Sequence, residues 1–244
     1  MKITLAAIGF KNKDIEFNKN SIISKIKEYE GKTDLLLFGE TFLQGFDSLS
    51  WSFDIDKNIA ISKDHKIIND ICEAAKKHKI AVSFGYIELE NDKIYSSQLT
   101  INNKGIIVNN YKRVSPGWRI KETDYHYAEG SNFQVFKLND KSIIIGLCGD
   151  LWYDTNIDRI SKLASNLVLW PVYTDFNYNK WNNTEKFAYA KQASLLKRPV
   201  LYVNSYCLDS FEEEIARGGA ALFSNGLIID EIPSGKEGCI TIKI

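Results

Sequence analysis

The chain has 244 residues, 44% of them hydrophobic and 12% aromatic, which is enough to bury one sizeable core. Lys and Arg together number 31, as do Asp and Glu, so the formal net charge is zero and no long-range field draws the chain to nucleic acid or an acidic membrane. Four cysteines, Cys72, Cys148, Cys207 and Cys239, are widely spaced without a CxxC pair, which argues against a disulfide framework and a zinc site and fits a reducing compartment.

Strand and helix patterns alternate along the chain. Residues 2–10 predict a first strand, too short and too alternating for a signal peptide. Residues 20–29 carry Ile22, Ile23, Ile26 and Tyr29 at helical spacing, with Gly31 as a stop. Residues 34–39 read as a buried strand. Residues 63–78 place Ile67, Ile71, Ala74 and Ala75 on one helix face. Strands are predicted over 80–89, 93–102 and 106–111, with turns at 90–92 and 103–105. An apolar run over 141–145 predicts another strand, and 167–171 one more. Helices are predicted over 158–165 and 185–196, and three closing strands over 216–223, 227–232 and 239–244. The longest like-charge run, at 212–214, reads as a solvated loop. No apolar stretch approaches the ~20 residues that span a bilayer. A single domain over 1–244, cytoplasmic and independent of membranes, is expected.

Three of the predicted strands end in chemistry. The run Leu35-Leu36-Leu37-Phe38-Gly39 ends in Glu40. The strand at 106–111 ends in Tyr111-Lys112-Arg113. The strand at 141–145 ends in Gly146-Leu147-Cys148-Gly149-Asp150, where small residues flank a thiol in a sharp turn, as at a nucleophile elbow. Open α/β sheets keep their sites at such strand ends.

In order and spacing, these segments resemble the motifs of the carbon–nitrogen hydrolase family, also called the nitrilase superfamily. Glu122 to Gly130 resembles the stretch with the family's second glutamate, and Leu167-Val168-Leu169-Trp170-Pro171 its later apolar strand. Residues 188–205 are similar to its long helix and following strand, and 217–226 to its Gly-Gly hairpin. The resemblance implies a four-layer αββα sandwich of two sheets with helices outside. It implies Cys148 as nucleophile, Glu40 as base, Lys112 as oxyanion cation and Glu122 as a fourth member. The Gly149 N–H is the second oxyanion donor expected. In the family the lysine follows Tyr-x; here the strand ending and Pro116 point to Lys112. Trp152-Tyr153-Asp154-Thr155 replaces a frequent Arg-Phe-Pro-Glu.

The reaction so implied is hydrolysis of a non-peptide C–N bond in a small linear amide or carbamoyl compound through a thioester, with water as co-substrate and neither cofactor nor metal. A nitrilase cleaving C≡N is the alternative on the same residues. A silent binding module on the same fold is the alternative of another class. A Cys–His dyad through His126 competes with the carboxylate base. Among the loop aromatics, Phe42, Trp118, Trp152, Tyr153 and Tyr173 are the substrate-binding candidates. A homodimer or higher homo-oligomer is expected. Because the chain stops at Ile244, just past the last predicted strand, a dimer is expected to bury helix faces and aromatic loops rather than an exchanged tail.

Overall fold

The computed structural model describes residues 1–209 and 215–244; the acidic run at 212–214 lies outside the described residues. The first strand, β1 (Lys2–Ala7), is covered on both faces. Ile3, Leu5 and Ala7 enter one core and Ala6 enters another, because successive strand side chains point to opposite sides. A two-residue strand, β2 (Gly9–Phe10), follows. Helix α1 (Ile15–Glu28) starts earlier than the apolar spacing predicts, because the Asp14 carboxylate caps it by accepting from the Phe17 N–H at 3.0 Å.

β3 (Leu35–Leu37) repeats the alternation of β1. A short α2 (Phe53–Asp56) precedes α3 (Lys66–His78), which buries Ile67, Ile68, Ile71 and Ala75 beside α1. Then come β4 (Ala81–Glu90), β5 (Lys93–Ile101) and β6 (Ile107–Lys112), as the periodicity predicts.

The second half mirrors the first. It comprises β7 (Phe136–Leu138), β8 (Lys141–Ile145), α4 (Asp154–Ser161), β9 (Leu167–Val172) and α5 (Tyr178–Lys180), which continues through a wider turn into α6 (Lys186–Ser194). It closes with β10 (Val200–Asn204), β11 (Tyr206–Cys207), β12 (Ala220–Ser224), β13 (Leu227–Ile232) and β14 (Gly238–Lys243). Strand β7 goes unpredicted because only Phe136 and Leu138 alternate around an exposed Lys137. Helix α4 starts ahead of its predicted position, immediately after the cysteine turn, with Ile157 and Ile160 buried.

Among the described residues, one six-stranded sheet runs β14-β1-β3-β4-β5-β6 and the other β13-β12-β10-β9-β8-β7. β2 and β11 pair separately. The sheets pack face to face through Leu5, Leu37, Ile143, Ile145, Leu169 and Leu201, with α4 and α6 against the second sheet and α1 and α3 against the first. This is the expected αββα arrangement. Parallel pairing of β1, β3 and β4, and of β8, β9 and β10, brings the C-terminal ends of β3, β8 and β9 to one edge of the sandwich. Among the described residues, no helix is long and apolar enough to cross a membrane.

Candidate active site

Glu40 lies just beyond β3, in a turn seated on β4. The Gly85 N–H donates to the Gly39 carbonyl at 3.1 Å, and a Cβ on Gly85 would stand 2.2 Å from the Thr41 nitrogen. Only a glycine allows that approach. The carboxylate is 1% exposed and both its oxygens are engaged. Oε1 accepts from the Ser96 hydroxyl at 2.7 Å and from Arg113 Nη1 at 3.0 Å; Oε2 accepts from the Tyr173 N–H at 3.3 Å.

Cys148 lies beyond β8 with φ at 46°, a left-handed conformation uncommon for a residue with a side chain. Such strain persists only where the surroundings enforce it. Two contacts do so here: Trp170 Nε1 donates to the Cys148 carbonyl at 2.8 Å, and the Leu147 N–H donates to Asp150 at 2.9 Å. The thiol donates to the Tyr173 carbonyl at 3.4 Å and lies beside Glu40. Burial and the Glu40 charge push the thiol up to about 12, against the pull of Arg113. In the resting site it is therefore a neutral thiol, and its proton must leave as it attacks.

The cation on this carboxylate is Arg113, which corrects the expectation of Lys112. Tyr111 points into the space between the sheets, so the residue two further on shares its side and the one between does not. Lys112 accordingly turns away. Its ammonium pairs with Glu90, lies 4.0 Å from Glu88, and sits over the Tyr95 ring, lining a separate cavity of about 380 Å³. Arg113 is 6% exposed and is braced by its Nε–H, which donates to Ser115 Oγ at 3.0 Å. Burial opposes its charge, but the Glu40 and Asp150 carboxylates outweigh that and hold the guanidinium above its ordinary value. A Cβ on Gly149 would stand 2.4 Å from Arg113 Nη2, so the backbone after the nucleophile and the guanidinium border the same space.

The remaining sequence candidates divide. Tyr173 joins the site through its backbone; its ring stacks on Phe46 at 4.9 Å and its hydroxyl donates to Asp47 at the surface. Trp152 and Tyr153 are each 42% exposed, and Trp152 packs edge-on against Tyr189. Phe42 is not a pocket wall: it is fully buried against Phe38 and Phe10. Trp118 is likewise buried under its loop, against Trp51 and Tyr127. Glu122 is exposed on that loop and, among the described residues, holds no partner that ties it to Arg113 or Cys148. His126 pairs with Asp124 at 2.9 Å and stacks on Phe53, so the imidazole is engaged away from the thiol. The sequence reading missed Arg113, Ser96, Ser115 and the bracing by Asp150. The period-two alternation from Tyr111 was the signal that singles out Arg113.

Three similarities bear on this site. The glutamine-dependent NAD(+) synthetase of Aquifex aeolicus is 21% identical over 100% of this chain and 42% of its own length. An (R)-stereoselective amidase of a Pseudomonas species is 21% identical over 69% of this chain and 59% of its own. The chain thus spans about half the length of these curated relatives. The crystal structure of XC1258 from Xanthomonas campestris, a CN-hydrolase superfamily protein, superposes with a TM-score of 0.80 at 16% identity, over 99% of this chain and 89% of that one. The sequence profile of the carbon-nitrogen hydrolases matches residues 4–206, a span that contains Glu40, Arg113 and Cys148 at their three strand ends, and the chain belongs to that family.

Proposed function

We propose that the chain hydrolyses a non-peptide C–N bond in a small linear amide or carbamoyl compound, with Cys148 as nucleophile, Glu40 as base and Arg113 as the oxyanion cation. The observation that carries this reading is the convergence on one thiol, at a strained turn, of a buried carboxylate and a buried guanidinium from separate strand ends. Glu40 takes the thiol proton as the sulfur attacks the carbonyl carbon. Negative charge grows on the carbonyl oxygen, where Arg113 and the Gly149 N–H are the donors. Glu40 then protonates the departing nitrogen, and the amine or ammonia leaves behind a thioester. Water, deprotonated by Glu40, attacks the thioester and frees the acid and the thiol. An arginine here keeps its charge at every working pH and gives up no proton, so all proton transfer falls to Glu40.

The test is intact-mass spectrometry after incubation with a panel of amides, carbamoyl compounds, acids and nitriles. A covalent acyl adduct that maps to Cys148 and is lost in Cys148→Ala is the expected result. Turnover that survives in purified Cys148→Ala would remove the nucleophile. Release of ammonia from a nitrile, with amides untouched, would move the reading to a nitrilase. Light scattering tests the accompanying proposal of a homo-oligomer, whose partner-facing candidates are the exposed Trp152, Tyr153, Phe187 and Leu195.

A further inference from the structure

Asp150 stands two residues beyond the thiol and takes no part in the steps above. We propose that it is a positioning residue that sets the distance between the Cys148 turn and Arg113; the inference rests on the roles given to those two residues. The carboxylate is fully buried and accepts four hydrogen bonds. Oδ2 accepts from the Leu147 N–H at 2.9 Å and from the Tyr111 hydroxyl. Oδ1 accepts from the Val114 N–H at 3.0 Å and from the Ser115 N–H at 2.6 Å.

These donors belong to two different stretches of chain. Leu147 immediately precedes the thiol, whereas Val114 and Ser115 immediately follow Arg113. Ser115 in turn accepts from the Arg113 Nε–H at 3.0 Å, so the grip on its backbone extends to the guanidinium. Tyr111 adds β6 itself to the clamp. One side chain therefore ties the end of β8 to the end of β6 across the gap between the two sheets. A carboxylate can do this because both oxygens accept and neither donates. An asparagine keeps one acceptor and aims an NH₂ at backbone N–H groups that are themselves donors. Burial pushes the Asp150 carboxyl above its ordinary range, while Tyr111, Arg113 and the Ser115 and Leu147 N–H groups favour the anion.

The sign of one measurement separates positioning from simple charge. Removing a nearby anion eases ionisation of a thiol and speeds its alkylation. If Asp150 instead holds Arg113 beside the thiol, Asp150→Asn lets the cation retreat, and Cys148 ionises less readily. The experiment compares iodoacetamide labelling of Cys148 at one fixed pH, by peptide mapping, in the unsubstituted chain, Asp150→Asn and Tyr111→Phe, alongside kcat and KM on whichever amide turns over. Labelling about tenfold slower in Asp150→Asn, with kcat lowered and KM little moved, is expected from misplacement of the cation. Tyr111→Phe removes one of the four bonds and should slow labelling in the same direction by a smaller factor. Unchanged or faster labelling in folded Asp150→Asn overturns the proposal. If that variant does not fold, unchanged labelling and unchanged kcat in Tyr111→Phe overturn it. The labelling comparison needs no substrate, so it decides the clamp even where no amide in the panel forms an adduct and the hydrolase reading fails.

Discussion

At Arg113 the choice between two adjacent cations is a matter of strand geometry. A side chain at the end of β6 reaches either the space between the sheets or the cavity on the other face. Lys112 spends its charge on Glu90 in that cavity, and Arg113 spends its charge on Glu40. Two substitutions separate their roles. Arg113→Gln should lower the acylation rate by about 10²–10³, the usual loss when one oxyanion donor is removed. It should also cost stability, because Glu40 is left buried without its charged partner. Lys112→Gln removes the partly exposed pair with Glu90, worth about 1 kcal/mol or less, together with the longer contact to the buried Glu88, and should leave acylation within a few-fold of the unsubstituted rate. Rapid-quench mass spectrometry of the adduct reads both, and a larger loss in Lys112→Gln would restore the lysine to the site. Glu40→Gln should block formation of the acyl adduct, since the neutral thiol then has no base to take its proton. Adduct formation at the unsubstituted rate would transfer the base role elsewhere. That Cys148 and Glu40 lie together was legible because each ends an apolar run. The brace residues were not: Ser96 reaches Glu40 and Asp150 reaches Ser115 across long stretches of sequence, and the Ser115 hydroxyl meets its neighbour Arg113 only through the shape of the turn after β6.

The elements themselves were easier to read than their joints. Long periodic segments such as α3, β4 and β5 follow their apolar spacing closely, whereas α1 and α4 start at capping and turn positions that hydrophobic periodicity does not mark. The aromatics show the same limit. Phe42 and Trp118 stand near functional segments in the sequence, yet their burial is decided by how the loops fold back on β3 and β4. The joint between β4 and the Glu40 turn is testable. Gly85 donates to Gly39 and accepts from the Leu43 N–H at 3.0 Å, so this contact seats the turn on β4. In Gly85→Ala the new Cβ meets backbone at Thr41 and Glu40 rather than a flexible side chain. The strand must shift, at a cost of about 1–3 kcal/mol as for other overpacked sites. Urea unfolding should show that loss, and the acylation rate should fall with it as Glu40 is displaced. An unchanged midpoint would mean that the turn gives way more easily than its hydrogen bonds imply.

For the whole molecule, the two six-stranded halves place a neutral thiol at their shared edge, and that has a thermodynamic signature. Burial and the Glu40 charge raise the Cys148 thiol from an ordinary 9.0 to about 12. Burial and the charge of Cys239 likewise raise the Tyr29 phenol from 10.0 to about 12. Both groups hold their protons in the folded chain at a pH where the unfolded chain has released them. Above about pH 9 the unfolded state therefore binds fewer protons than the native state, and stability falls as pH rises. The contribution of Cys148 is fully present below about pH 9 and is lost progressively toward about pH 12; a difference of this size amounts to a few kcal/mol at most. Urea unfolding at a series of pH values from about 7 to about 11 should show a flat region followed by a decline. In Cys148→Ala one titrating group is gone, so the decline should be shallower while the flat region keeps its form. A decline equally steep in both chains would mean that the folded thiol titrates where the unfolded one does, near its ordinary 9.0, and that burial and Glu40 do not hold its proton.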